Sequence, residues 1–338
     1  MRCGSVGASL AMTVCLIVSL VPALALAQTS TSQTWTPART FHGHPDLQGV
    51  WANNNATPLE RPPEWAGRAE LTDEELAALR AAAAQATDPG QDALFGDQLV
   101  LAAIAGTKAE SYDPTTGNYN QFWIVERDFN NRTSLVVDPP DGRIPSLTAA
   151  AAHRQAQHAA HRLEHPADSW VDVPLQERCI TYGAPRLGAG YNSYYQIFQS
   201  ADYVVFFMEM NHDARIIPID GRADLNPSVR QWHGDSRGRW EGETLVVETK
   251  NYSPKSRFRG ASANLYVVER FTRVGPDTLD YEVTITDPTT WTRPWTVIIP
   301  LARSDDTIYE YACHEGNYGM EGILAGHRVQ EEDAAASP

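Results

Sequence analysis

From about residue 190 onward the hydropathy period of the chain is two, in short runs that turn residues interrupt about every 8–14 positions. Runs at 194–198, 203–210, 214–219, 244–249, 265–273, 278–287, 295–301 and 307–311 read as strands. They are bounded by turns such as Asp220-Gly221, Trp240-Glu241-Gly242-Glu243 and Gly275-Pro276-Asp277. A parallel sheet needs a long crossover, usually helical, between successive strands. No helical pattern separates these runs, so the spacing predicts a mainly β, antiparallel fold, either a barrel or a sandwich. An antiparallel barrel of about eight strands can enclose a cavity for a small ligand.

The front half is looser. The stretch 44–51 reads as an opening strand, and 121–126 and 133–137 read as two more. Two short helical insertions are expected at about 72–85 and 148–163. Thr72 with Glu75 makes a capping box at the start of the first, and Thr148 caps the second. A further short helix is expected around 97–105. The reading is a flexible arm over 28–43, a single β-rich domain over 44–325, and a polar tail over 326–338.

Residues 1–27 read as a signal peptide. Arg2 supplies the positive region, 8–26 is apolar with Pro22 within it, and Ala25-Leu26-Ala27 fits a small-x-small cleavage site before Gln28. The competing reading is an uncleaved anchor. Cleavage implies a periplasmic or secreted protein with no membrane association afterwards. Cys3 and Cys15 would leave with the signal, and Cys179 and Cys313 would remain. In an oxidising compartment such a pair forms a disulfide, the alternative being two buried thiols. The loop of about 134 residues that it closes corresponds to roughly 4–5 kcal/mol in the chain-entropy account. Lys+Arg is 27 and Asp+Glu is 42, a formal net charge of -15. That balance argues against nucleic acid as a partner, which needs a basic face.

The stretch from Gly234 to Glu248, GDSRGRWEGETLVVE, is distinctive. So are Glu269-Arg-Phe-Thr-Arg-Val274, Thr292-Arg-Pro-Trp295, Tyr311-Ala-Cys-His-Glu-Gly-Asn-Tyr318 and the opening Pro45-Asp-Leu-Gln-Gly-Val-Trp51. On these motifs the chain after residue 44 resembles a large family of exported, β-rich bacterial proteins of unknown function. The resemblance implies export and a β-rich fold, and it carries no catalytic assignment. The tryptophan of the opening strand, behind an Asp-Leu-x-Gly turn, is similar to the lipocalin group, so the fold expected is an antiparallel lipocalin-like barrel.

Chemistry is expected where histidines meet acids at strand ends, because sites collect on such loops. His212-Asp213, His233 and His314 are the candidate proton-transfer groups, with Arg215 and Tyr311 as anion holders and Glu209 and Trp232 as further substrate contacts. Strand alternation places Glu209 on the face of Tyr203, Val205 and Phe207. If that face lines the interior, burial would raise the Glu209 pKa. The same alternation turns at most one of Glu269 and Arg270 inward. His–carboxylate pairs with a neighbouring cation suit cofactor-free acid–base chemistry, of isomerase, hydratase, lyase or cyclase type, on a small, partly apolar molecule. The alternative is a carrier that holds such a molecule unchanged. No cofactor is implied: Gly183 to Gly190 lacks the lysine and the strand-to-helix context of a phosphate loop. Ser236 lies in Gly-x-Ser-x-Gly without the flanks of a nucleophile elbow. No metal is expected either. There is no HExxH or CxxC, and His158, His161 and His165 on the second helix read as a solvated face.

Overall fold

A computed structural model of the chain describes residues 35–87, 92–108, 120–256 and 258–336. The expected signal peptide and the first residues of the arm lie outside the described residues.

Among the described residues, ten strands form one antiparallel sheet. They are β1 (Gly49–Ala52), β2 (Val136–Asp138), β3 (Tyr194–Gln199), β4 (Tyr203–Met208), β5 (Ala214–Pro218), β6 (Asp235–Glu241), β7 (Thr244–Lys250), β8 (Tyr266–Arg273), β9 (Thr278–Thr286) and β10 (Trp295–Ser304). The order is β5-β4-β3-β1-β10-β9-β8-β7-β6, with β2 added beside β10. Two local meanders, β3 to β5 and β6 to β10, are therefore joined by ladder hydrogen bonds only through the four residues of β1, which pairs Trp51 with Tyr195 on one side and with Arg303 on the other.

The β class and antiparallel pairing agree with the period of two, but barrel closure does not follow. No ladder joins edge strands β5 and β6. The sheet curls until these edges meet through side chains. A Cβ placed on Gly238 would lie 2.7 Å from Ile219 Cγ2 and 3.1 Å from Ile217 Cγ2. With glycine at 238 the two isoleucines lie directly on the β6 backbone, where a paired strand would otherwise run.

Among the described residues, four α-helices accompany the sheet: α1 (Asp73–Ala86), α2 (Gln98–Ala105), α3 (Ala149–Glu164) and α4 (Tyr318–Ala336). The capping box at Thr72 and Glu75 forms on α1, and the Thr148 side chain accepts from Ala151 N on α3. The expected polar tail is largely helix α4. The run at 121–126 opens as a single 3-10 turn, Gln121–Trp123, whose Asn120 side chain accepts from Phe122 N. The run at 307–311 is not a strand, because β10 already pairs β9 on one side and β1 and β2 on the other. No strand is expected ahead of the turn at 240–243, yet Asp235–Glu241 form β6 after a turn at Gly234, where a Cβ would lie 2.6 Å from Lys250 O.

The interior is filled. Trp51, Ile197, Val204, Phe206, Ile217 and Leu245 belong to one buried cluster that runs on through β8, β9 and β10. Phe271 and Tyr281 stack with ring centroids 4.6 Å apart. Between Tyr195, Phe206, Met208, Arg215 and Tyr281 there remains a cavity of about 10 Å³, room for one water at most. A second cluster, including Leu79, Leu99, Val100 and Phe129, packs α1 and α2.

Candidate active site

Strand β4 ends at Met208, and the chain turns there within four residues. Asn211 (φ 57°) and His212 (φ 56°) occupy the left-handed region in succession. Such a pair of non-glycine residues is strained and persists where its surroundings fix it. His212 N donates to Glu209 O at 3.1 Å, and Met208 N donates to Asp213 O at 2.8 Å, closing the turn. The turn leaves His212 exposed, edge-on to Phe207 at 4.6 Å. Asp213 falls in line with the inward-facing residues Arg215 and Ile217.

Asp213 and His233 converge on a third residue. The Thr181 hydroxyl donates to Asp213 Oδ2 at 2.9 Å and accepts from Gly183 N at 2.9 Å. His233 Nε2 lies 2.5 Å from Thr181 Oγ1 and 3.3 Å from Asp213 Oδ2. The single Thr181 proton is committed to Asp213, so His233 Nε2 carries a proton and donates. The network therefore assigns the Nε2–H tautomer. It leaves Nδ1, which no described residue bonds, as a free acceptor when the ring is neutral. Thr181 is saturated by these contacts and is not poised as a nucleophile.

Glu209 is buried, but not by alternation. The outward face of β4 carries Tyr203, Val205 and Phe207, whereas Val204, Phe206 and Met208 face the core. Glu209 follows the strand in helical conformation (φ -61°, ψ -44°) and reaches the backbone of Tyr309. Its Oε1 accepts from Tyr309 N at 3.5 Å. Burial raises its carboxyl above the ordinary value, against the lowering effect of that N–H. Tyr311 N approaches His212 Nδ1 at 3.5 Å, and the Tyr311 ring lies against Tyr191. Both atoms of the Asn211 amide are buried without a hydrogen-bond partner.

A disulfide joins Cys179 to Cys313 with Cα atoms 5.6 Å apart. It ties the segment carrying Thr181 to the segment carrying Tyr309 and Tyr311. Together the two segments bring residues distant in sequence to this end of the sheet.

Three expected site residues have other roles. Arg215 is buried, and its guanidinium is taken by Glu269: Nη1 donates to Oε1 at 2.9 Å and Nη2 to Oε2 at 2.6 Å. Glu269 is the inward member of its pair with Arg270, and Tyr281 OH also donates to it at 2.6 Å. Arg215 is thus an interior clasp, not an anion holder. It reaches from β5 to Ser236 on β6 (3.3 Å), Thr249 on β7 (3.4 Å) and Glu269 on β8. Burial opposes its charge, and the Glu269 carboxylate outweighs that, holding the guanidinium pKa above its ordinary value. His314 is exposed next to the disulfide, and no hydrogen bond or ion pair joins it to His212, Asp213 or His233. Trp232 is half-buried beside His233, and its carbonyl accepts the Ser256 hydroxyl at 2.8 Å.

Sequence reasoning missed Thr181, which lies 32 residues from Asp213 and 52 from His233. Its only signal is its position two residues after a cysteine. No protein-family model, curated protein or solved structure matches the chain.

Proposed function

We propose that the protein is an exported enzyme, periplasmic or secreted, that carries out cofactor-free acid–base chemistry of isomerase, hydratase, lyase or cyclase type on a small, partly apolar molecule. The observation that carries this reading is the convergence of His233, Asp213 and Thr181. Asp213 and Thr181 fix the imidazole on one nitrogen, and Nδ1 is left to take a proton from a carbon or oxygen acid and return it to a neighbouring atom, with no net oxidation or reduction. Glu209, its carboxyl raised by burial, is the candidate for the opposite proton transfer. The substrate is assigned to the end of the sheet that bears Asp213; the cavity beside Arg215 and Tyr281 has room for about one water and does not suit it. The family resemblance to exported β-rich bacterial proteins and the disulfide support the compartment.

The test is conversion of a periplasmic small-molecule extract, followed by proton NMR and mass spectrometry. Wild type is expected to transform at least one component, and His233→Gln and Asp213→Asn, folded to the same Tm, are expected to leave it untouched. Equal conversion by both variants would overturn the reading. A component that co-purifies unchanged with wild type would instead favour a carrier.

A further inference from the structure

The histidine face of α3 meets more than solvent. The His161 and His165 rings lie 4.7 Å apart. His165 Nδ1 is 2.6 Å from Asp168 Oδ2. The other oxygen, Asp168 Oδ1, is 3.2 Å from His327 Nε2 on α4, and that nitrogen is 3.4 Å from Glu331 Oε1 one turn further on. Among the described residues, Asp168, His327 and Glu331 offer three ligand atoms all within 4.8 Å of one another.

Those separations fit a metal. In a tetrahedral zinc site with bonds of about 2.0–2.2 Å, neighbouring ligand atoms stand about 3.3–3.6 Å apart. The two separations made by His327 are close to edges of such a tetrahedron. Both carboxylates are also oriented from behind, as ligating carboxylates are. His165 holds the second oxygen of Asp168, and Arg328 grips both oxygens of Glu331, Nε to Oε2 at 3.0 Å and Nη2 to Oε1 at 3.1 Å, so Oε1 would share a lone pair with the guanidinium while ligating. The His327 side chain is 13% exposed, the Asp168 side chain 42% and the Glu331 side chain 48%, so the histidine is sheltered and the carboxylate side opens to solvent.

Helix α4 supplies an independent reason. None of its 19 residues is buried, so apolar packing does not fix it. Its polar contacts here run from His327 and Arg328 to the segment after α3, where Arg328 Nη2 donates to Ala167 O at 3.2 Å and Nη1 to Asp168 O at 3.3 Å. We propose that Asp168, His327 and Glu331 form a divalent-cation site, of zinc type in its nitrogen-plus-carboxylate donor set, that clamps α4 to the segment following α3. This site is separate from His233 and does not depend on the proposed reaction.

The experiment titrates tag-free, EDTA-dialysed full-length protein with zinc chloride by calorimetry, with hydrogen exchange of residues 318–336 read in parallel. Wild type is expected to bind one equivalent and to slow exchange across α4. His327→Ala should weaken binding about tenfold or more and abolish the slowing, Asp168→Asn should do likewise, and His153→Ala, on the exposed start of α3, should change neither. No binding by wild type at 100 µM zinc would overturn the site. So would equal binding by His327→Ala and Asp168→Asn, which would place the zinc on other histidines.

Discussion

Arg215 with Glu269 and Asp213 with His233 are both acid–base pairs at the β5 side of the sheet, and their surroundings give them opposite uses. In the interior, both oxygens of Glu269 are taken by Arg215, and Tyr281 adds a third hydrogen bond. Ser236 and Thr249 accept from the same guanidinium and bond to each other at 2.9 Å. Only Arg215 Nε is left without a partner in this cluster, and it is buried, so the cluster is structure: it fastens β5 to β6, β7 and β8 where no ladder does. At the end of the sheet, Thr181 and Asp213 satisfy one side of His233 only. The charges of the interior cluster are matched and shut away from solvent and serve the fold, whereas the second nitrogen of His233 is left for a ligand.

The contrast predicts different losses. Reducing the disulfide, or replacing Cys179 and Cys313 by serine, should cost about 4–5 kcal/mol by denaturant unfolding, because the pair closes a loop of 134 residues. Glu269→Gln should cost about 3–5 kcal/mol, since it strands the Arg215 charge in the core. A cost below about 1 kcal/mol there would erase the distinction between interior and rim. His233→Gln should reverse the pattern, lowering kcat/KM on a substrate found as above by about 10²–10⁴-fold. Its unfolding free energy should move by less than about 1 kcal/mol.

The smallest effect is expected at Glu209. Its folded pKa is raised, so the folded state holds the proton more tightly than the unfolded one, and stability falls as pH rises from the ordinary carboxylate range through the folded value. Glu209→Gln, which cannot ionise, should therefore have the higher Tm at neutral pH. The advantage should shrink as pH falls and vanish below about 3, where the carboxyl is protonated in both states. A constant difference across that range would show that the carboxyl is not desolvated.

What could be read from the sequence was local. The caps at Thr72 and Thr148, the hairpin of β8 with β9, and the exit of β4 into β5 all depend on residues within a few positions of one another. The strand expected at 307–311 failed for a non-local reason: the edge of β10 it needed is occupied by β1, from about residue 50. Glu209 was assigned to a face by alternation that stops one residue earlier, at Met208. The adjacent His212 and Asp213 were visible as a pair of candidates, and so was His233. Thr181 was not, because only the folded segment around the disulfide brings it to them. Arg215 looked like a ligand holder because its partner, Glu269, lies 54 residues away.

The placement of β1 bears on the order in which the molecule assembles. Each meander closes through neighbours in sequence and can form early, at low loop-closure cost. Strand β1 must find β3 across about 140 residues and β10 across about 250, and only four residues are available to grip them. Strand β1 is therefore expected to pair after both meanders have formed, and to be the slowest part of the sheet to gain protection in pulsed hydrogen exchange.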